Sequence, residues 1–206
     1  TLHCDKTKIL QVGNPIMSDF KSITRDEARK KLNIPDKYRY VLLSYGGSMG
    51  AEKVNDAVFT LMQRYTGGRE GVWHTHATGA IEKDIAAGWF RERGLDKYKN
   101  LELLEYIYDM PIRMAAADIV ISRAGAMTVS ELALHGKCTV FIPSPNVTDD
   151  QQYKNAKVLA DADAARDLSA RVRDMRTKVY AGADGILRVI DETDAKTAVN
   201  SILGLA

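Results

Sequence analysis

An alternating α/β fold on a parallel sheet is predicted by three features of this 206-residue chain. Short apolar runs bounded by turn residues recur along it, the mark of strands buried on both faces. Helix-like stretches of about 10 to 15 residues separate them. Chains that alternate in this way form right-handed crossovers, which place neighbouring strands parallel with helices on both faces of the sheet. No internal repeat, low-complexity tract or long linker breaks the pattern, so residues 1–206 read as one domain, with a helical tail over 165–206.

The elements follow in order. KILQV at 8–12 is a strand candidate that runs into a Gly-Asn-Pro turn at 13–15. Residues 25–33 are charged and helix-like, and Pro35 stops that helix. YRYVLLSY at 38–45 is a buried strand, GGSMGA at 46–51 a glycine loop, and 51–65 a helix with Val54, Val58, Leu61 and Met62 on one face. GVWHT at 71–75 is the next strand, and 80–92 an amphipathic helix. NLELLEYI at 100–107 is a strand with its loop, and Pro111 suits the first turn of a helix over 110–117. ADIVIS at 117–122 leads to a helix over 127–135 closed by Gly136. CTVFIPSP at 138–145 is a strand ended by prolines, followed by a helix over 149–162 with Asp149 and Asp150 in its first turn. Two helical stretches are expected from 166 onward, interrupted by Gly182 and Gly185.

Composition narrows the function. A net charge of +2, with no long basic run, argues against a nucleic-acid groove. No apolar stretch reaches the ~18 to 20 residues of a transmembrane helix, and the N-terminal residues lack a signal-peptide pattern. The chain lacks an initiator methionine and enters a strand within a few residues, so it reads as part of a longer protein. Cys4 and Cys138 match no metal spacing and are expected to be reduced thiols of a cytosolic protein.

In a sheet of this kind, ligands bind outside the carboxyl ends of the strands. Those ends are Ser44–Ala51, Thr75–Gly79, Tyr106–Met110, Ser122–Thr128 and Pro143–Gln152, and they concentrate the Gly, Ser, Thr, Asn and Gln that serve a ligand. GGSMGA follows a strand and opens a helix, which suits a phosphate; a tight turn with no ligand is the alternative. It is neither a P-loop nor a G-x-G-x-x-G dinucleotide fingerprint. His74 and His76 lie on one side of a strand, but no third metal ligand is in register, and ordinary polar roles are expected. At YIYDM, Tyr106 would stack on a flat heterocycle while Ile107 bonds it through the backbone; the alternative is a core aromatic with Asp109 as a cap. In SRAGAMTVSEL, Gly125 turns the chain and the amides near Ala126, Met127 and Thr128 open a helix suited to a diphosphate. Glu131, about a turn further in, would take two vicinal hydroxyls, or would merely complement the helix dipole. Gln151 and Gln152 offer adjacent amides to sugar hydroxyls, or face solvent.

As an ordered set, GNP, GGSMGA, YIYDM, ADIVISRAGAMTVSEL and IPSPNVTDDQQYKNA resemble the C-terminal, donor-binding domain of the MurG family, over roughly residues 9–165. That family transfers N-acetylglucosamine (GlcNAc) from UDP-GlcNAc to lipid I in peptidoglycan synthesis. The resemblance implies one Rossmann-like half of a GT-B glycosyltransferase, at the cytoplasmic face of the bacterial membrane. No TGGTGGH-type loop of the acceptor half occurs, so the N-terminal acceptor domain is expected to be absent, and with it the catalytic base and the lipid I site. Membrane contact by this chain is not inferable.

The resemblance places Gly47 and Ser48 at the diphosphate, Tyr106 against uracil, and Ile107 at its edge through the backbone. It places Ala126, Met127 and Thr128 at phosphate and sugar, Glu131 at the ribose, and Gln151 and Gln152 at GlcNAc. No metal or other cofactor is implied. Two positions depart from the family. Met17 stands where an arginine is usual near the nucleotide, with Lys21 or Arg25 as possible substitutes, and Arg166 follows LADADAA where an acidic linker is usual. Two other readings compete: a subunit of a split transferase, and a nucleotide-sugar-binding domain without transferase activity. A UDP-sugar epimerase of the same fold is a weaker fourth.

Overall fold

The structure is a computed structural model that describes residues 14–16, 20, 23–160 and 199–201. Six parallel strands form one sheet: β1 (Tyr40–Tyr45), β2 (Val72–Ala77), β3 (Leu101–Leu104), β4 (Ile119–Ser122), β5 (Cys138–Phe141) and β6 (Val199–Ser201). Their spatial order is β3-β2-β1-β4-β5-β6, the doubly wound order of the Rossmann fold. The helices are α1 (Arg25–Lys31), α2 (Glu52–Leu61), α3 (Lys83–Glu92), α4 (Met110–Ala116), α5 (Ala126–His135) and α6 (Gln151–Ala160). Helix α2 continues into one wide turn, Met62–Thr66, with i→i+5 bonding. The strand expected at 8–12 lies outside the described residues, as does most of the tail, of which Val199–Ser201 are strand β6.

Period-two alternation sorts the side chains of β1. Val41, Leu43 and Tyr45 face one side, where Met114 of α4, Leu132 of α5 and Ala156 of α6 complete a core with Val120 and Phe141. Ala28 of α1 joins Val41, Ala115 and Ala116 on that same side. On the opposite face, Val54, Val58 and Phe59 of α2 pack with Ala86 and Phe90 of α3. The helices therefore divide as the strand order demands: crossovers running from β1 toward β3 lie on one face, and those running from β4 toward β6 on the other.

Ser44 points to the α2 face, and there the core is polar. His74, His76, Ser44 and Asn55 have no exposed surface at all. The Ser44 hydroxyl lies 2.9 Å from His74 Nε2 and 2.9 Å from His76 Nδ1. The Thr66 hydroxyl lies 3.1 Å from His74 Nδ1, and Asn55 Oδ1 lies 3.0 Å from His76 Nε2. The two imidazoles are thus members of a buried hydrogen-bond network. Burial holds His74 at a pKa of about 3, with neighbouring His76 adding to the effect. Burial likewise lowers His76 to about 4, against the opposing pull of the Ser44 carbonyl.

The glycine loop after β1 leans on the segment after β2. Ala80 N–H donates to Ser48 O at 3.0 Å, and Ile81 N–H to Met49 O at 3.3 Å. Gly50 (φ +96°) and Gly79 (φ +87°) pass so closely that a Cβ on Gly79 would sit 2.1 Å from Gly50 N.

Three outcomes follow for stability. Unfolded histidine titrates near ~6.5, so between that pH and 4 the unfolded chain binds protons that His74 and His76 refuse. Stability is full above the upper limit and falls as pH drops through the window, by about 1 kcal/mol per histidine per pH unit; urea titrations across it test this. Gly79→Ala meets both a left-handed backbone and the Gly50 contact, and should cost about 2 kcal/mol or more. Gly88→Ala, in mid-α3 with open space around its Cβ, should instead gain about 0.5 to 1 kcal/mol, which denaturant midpoints distinguish.

Candidate functional site

Strands β1 and β4 are neighbours, with Tyr45 paired to Ser122 at their carboxyl ends. The β1 connection leaves for the α2 face and the β4 connection for the α5 face, and a crevice opens where such connections part. GGSMGA forms one wall and the first turn of α5 the other.

The N-terminus of α5 is unsatisfied from within. Its N-cap is Gly125, and no side chain caps it. Helix α1, by contrast, carries a full capping box from Thr24 and Glu27. The first-turn amides of α5, at Ala126, Met127 and Thr128, therefore stay available to an anion, aided by the helix dipole. Ala126 and Met127 are exposed and Thr128 is half-buried. Glu131 sits one turn along, half-buried, and that burial raises its pKa. Beneath it, the buried Tyr45 hydroxyl lies beside those of Ser122 and Thr128, and burial raises its pKa also. It closes no hydrogen bond of good geometry among the described residues.

Gly47 and Ser48 are exposed at the crest of the glycine loop, as a ligand-facing loop requires. After β3, Ile107 buries its side chain in the core, and among the described residues its N–H and C=O make no backbone hydrogen bond. Tyr106 is exposed, with its ring edge-on to Tyr108 at 4.9 Å. Asp109 precedes α4 without a side-chain capping bond; instead it accepts from Arg113 Nε at 2.8 Å. Arg113 also grips Glu102 with both Nη atoms, at 2.6 and 3.1 Å. This clamp fixes the Tyr106–Asp109 turn to β3 and α4.

Helix α6 begins at Gln151, later than the pattern implied. Asp149 and Asp150 are not in its first turn: they form a tight turn before it, at φ of 56° and 51°. Aspartate is among the few residues that tolerate this left-handed region. Gln151 is exposed, but the two amides are not equivalent. Gln152 Oε1 accepts from Ser144 N–H at 2.9 Å, which commits its oxygen to the proline-rich loop and leaves its amide nitrogen.

One expectation is corrected. Arg25 cannot stand in for the arginine absent at Met17. Its guanidinium binds Asp118 at 2.8 and 3.0 Å and the Arg39 carbonyl at 2.9 Å, at the amino edge of the sheet, opposite the crevice. Met17 and Lys21 lie outside the described residues.

Sequence reasoning passed over three contributors. Asn14 of the GNP turn donates to Ala126 O at 3.2 Å and Ser130 Oγ at 2.8 Å, seating that turn on α5. Arg123, whose pKa burial lowers, braces the Ile142 and Pro143 carbonyls at 3.1 and 2.9 Å. Tyr45 is the third, and its place directly before the glycine loop was the signal.

Residues 41–199 match the glycosyltransferase family 28 C-terminal domain. The chain is 43% identical over 155 residues to the UDP-N-acetylglucosamine–N-acetylmuramyl-(pentapeptide) pyrophosphoryl-undecaprenol N-acetylglucosamine transferase of Acetivibrio thermocellus, covering 75% of this chain and 41% of that protein. It is 34% identical over 208 residues to the protein of the same name from Salinibacter ruber, covering 94% and 54%. The crystal structure of Acinetobacter baumannii MurG superimposes with a TM-score of 0.53 at 28% identity, covering 74% of this chain and 42% of that one. The chain thus spans about half the length of these relatives. Its doubly wound sheet, its uncapped α5 and the match over residues 41–199 agree: the chain belongs to the glycosyltransferase family 28 C-terminal domain family.

Proposed function

We propose that this chain binds UDP-GlcNAc as the donor half of an inverting transferase that makes lipid II from lipid I at the cytoplasmic face of the membrane. The observation that carries this is the placement of an uncapped helix N-terminus and an exposed glycine loop on either side of the β1–β4 crevice. Both present backbone amides where a diphosphate would lie, and Glu131 stands one turn beyond.

In this reading, Gly47, Ser48 and the amides of Ala126, Met127 and Thr128 hold the diphosphate. The free backbone groups of Ile107 read the uracil edge, with Tyr106 beside the ring. Glu131 accepts from the ribose hydroxyls. Gln151 and the Gln152 amide nitrogen meet the GlcNAc hydroxyls. During transfer the acceptor's C4 oxygen bonds to the sugar C1 as the bond from C1 to the UDP oxygen breaks, and negative charge grows on UDP. Fixed amide dipoles aimed at that charge stabilise it without reorganising. The acceptor proton passes to a base supplied by the other half of the enzyme, which also holds the lipid-linked acceptor. The helix dipole and loop amides carry the electrostatic role here, and the reading invokes no cofactor.

Glu131→Ala should weaken UDP-GlcNAc binding by about 1 to 3 kcal/mol, the cost of leaving polar groups unpaired; calorimetric titration that finds unchanged affinity overturns the ribose assignment. Gln151→Ala should lower affinity for UDP-GlcNAc while leaving that for UDP within about twofold, a difference of less than ~0.5 kcal/mol. Equal losses for both ligands would remove Gln151 from the sugar.

A further inference from the structure

Behind the glycine loop, the buried polar groups form a connected chain that Asn55 orients from one end. Asn55 Nδ2 donates to the Thr78 carbonyl at 3.1 Å, which turns Asn55 Oδ1 toward His76 Nε2 at 3.0 Å. A carbonyl oxygen only accepts, so Asn55 Oδ1 draws the His76 proton to Nε2 and leaves Nδ1 as the acceptor, against the opposing pull of the Ser44 carbonyl oxygen, 3.1 Å from Nδ1. The Ser44 hydroxyl fills that acceptor at 2.9 Å. Its oxygen is then the acceptor for His74 Nε2–H at 2.9 Å, and His74 Nδ1 accepts from the Thr66 hydroxyl at 3.1 Å. One unbroken series of donors and acceptors runs from Thr66 through His74, Ser44, His76 and Asn55 to Thr78 O, with every ring nitrogen engaged.

The series ends at the underside of the glycine loop. The carbonyl that Asn55 holds is the atom a Cβ on Gly50 would approach to 2.5 Å. The next residue, Gly79, packs on Gly50, and the two after it bond the carbonyls of Ser48 and Met49. Asn55 itself lies in the first turn of α2, which begins directly after the loop. Asn55 thus ties the first turn of α2 to the Thr78 carbonyl that backs Gly50, and its side chain is oriented by His76.

We infer that His76 and Asn55 are positioning residues for phosphate recognition: they hold the Gly47–Gly50 loop in its anion-binding shape through the Thr78 carbonyl. This rests on the donor-site reading above. Neither residue touches ligand in this scheme, since both are fully buried.

The test separates phosphate from nucleoside. UDP and uridine are titrated into the 206-residue chain by calorimetry and nuclear magnetic resonance. His76→Leu removes the donor to Asn55 and should weaken UDP about tenfold or more, with uridine within about twofold because the uracil and ribose contacts lie elsewhere. His76→Gln keeps an N–H for Asn55 and should restore UDP affinity. Asn55→Ser breaks the same link from its other side and should repeat the selective loss, which covers the case in which His76→Leu does not fold. Equal losses for both ligands, no loss, or a His76→Gln chain as weak as His76→Leu overturns the positioning role while leaving the donor site standing. A wild-type chain that binds neither ligand overturns the donor-site reading, and the positioning role with it.

Discussion

Strands β1 and β4 lie side by side but send their connections to opposite faces of the sheet, and the site depends on this divergence. Were both crossovers on one face, α2 and α5 would compete for the same space above the strand ends. Because they part, the loop after Tyr45 and the turn after Ser122 open a crevice with backbone on both sides. Right-handed crossovers and the reversal of direction along the sheet dictate where it lies. The uncapped N-terminus of α5 then follows from Gly125, which lends no side chain to its first-turn amides.

The two faces of the sheet behave differently beneath that crevice. On the α4–α6 side, Leu43, Val120 and Phe141 make an apolar floor. On the α2 side, Ser44 and the two histidines are polar and wholly buried. A saturated hydrogen-bond series admits few alternative arrangements. The polar side lies under the glycine loop. Gly46, Gly47 and Gly50 contribute no side chains, so the shape of that loop has to be imposed from below.

Much of this was legible in the residues. Strands β1, β3, β4 and β5 fell within the expected apolar runs, whereas β2 (Val72–Ala77) runs past the expected 71–75 because its buried residues His74, Thr75 and His76 are polar. The order of glycine loop, uncapped helix and lone carboxylate pointed to the crevice, because backbone amides need small residues to be approached. What escaped was tertiary pairing. His74 and His76 read as ordinary polar residues at a strand end, and only the register of β1 against β2, which sets Ser44 opposite His76, made them one network. Arg25 read as a possible ligand cation until Asp118, distant in sequence, claimed it at the far edge of the sheet. The left-handed Asp149 and Asp150 read as helix formers because their first-turn acidity mimics one.

In the proposed donor site, the groups that would meet the diphosphate are backbone amides, those of the uncapped α5 N-terminus among them. The Arg123 guanidinium, just after β4, is spent on the Ile142 and Pro143 carbonyls. A full cation there would bind a diphosphate strongly before and after transfer alike, which lowers the energy of the ground state along with that of the transition state. Neutral amide dipoles bind the resting diphosphate more weakly, and fixed in place they respond fully to charge as it develops. In the proposed donor site, the rigidity imposed through Asn55 and Thr78 on one wall, and through Asn14 on the other, would let dipoles do the work of a cation.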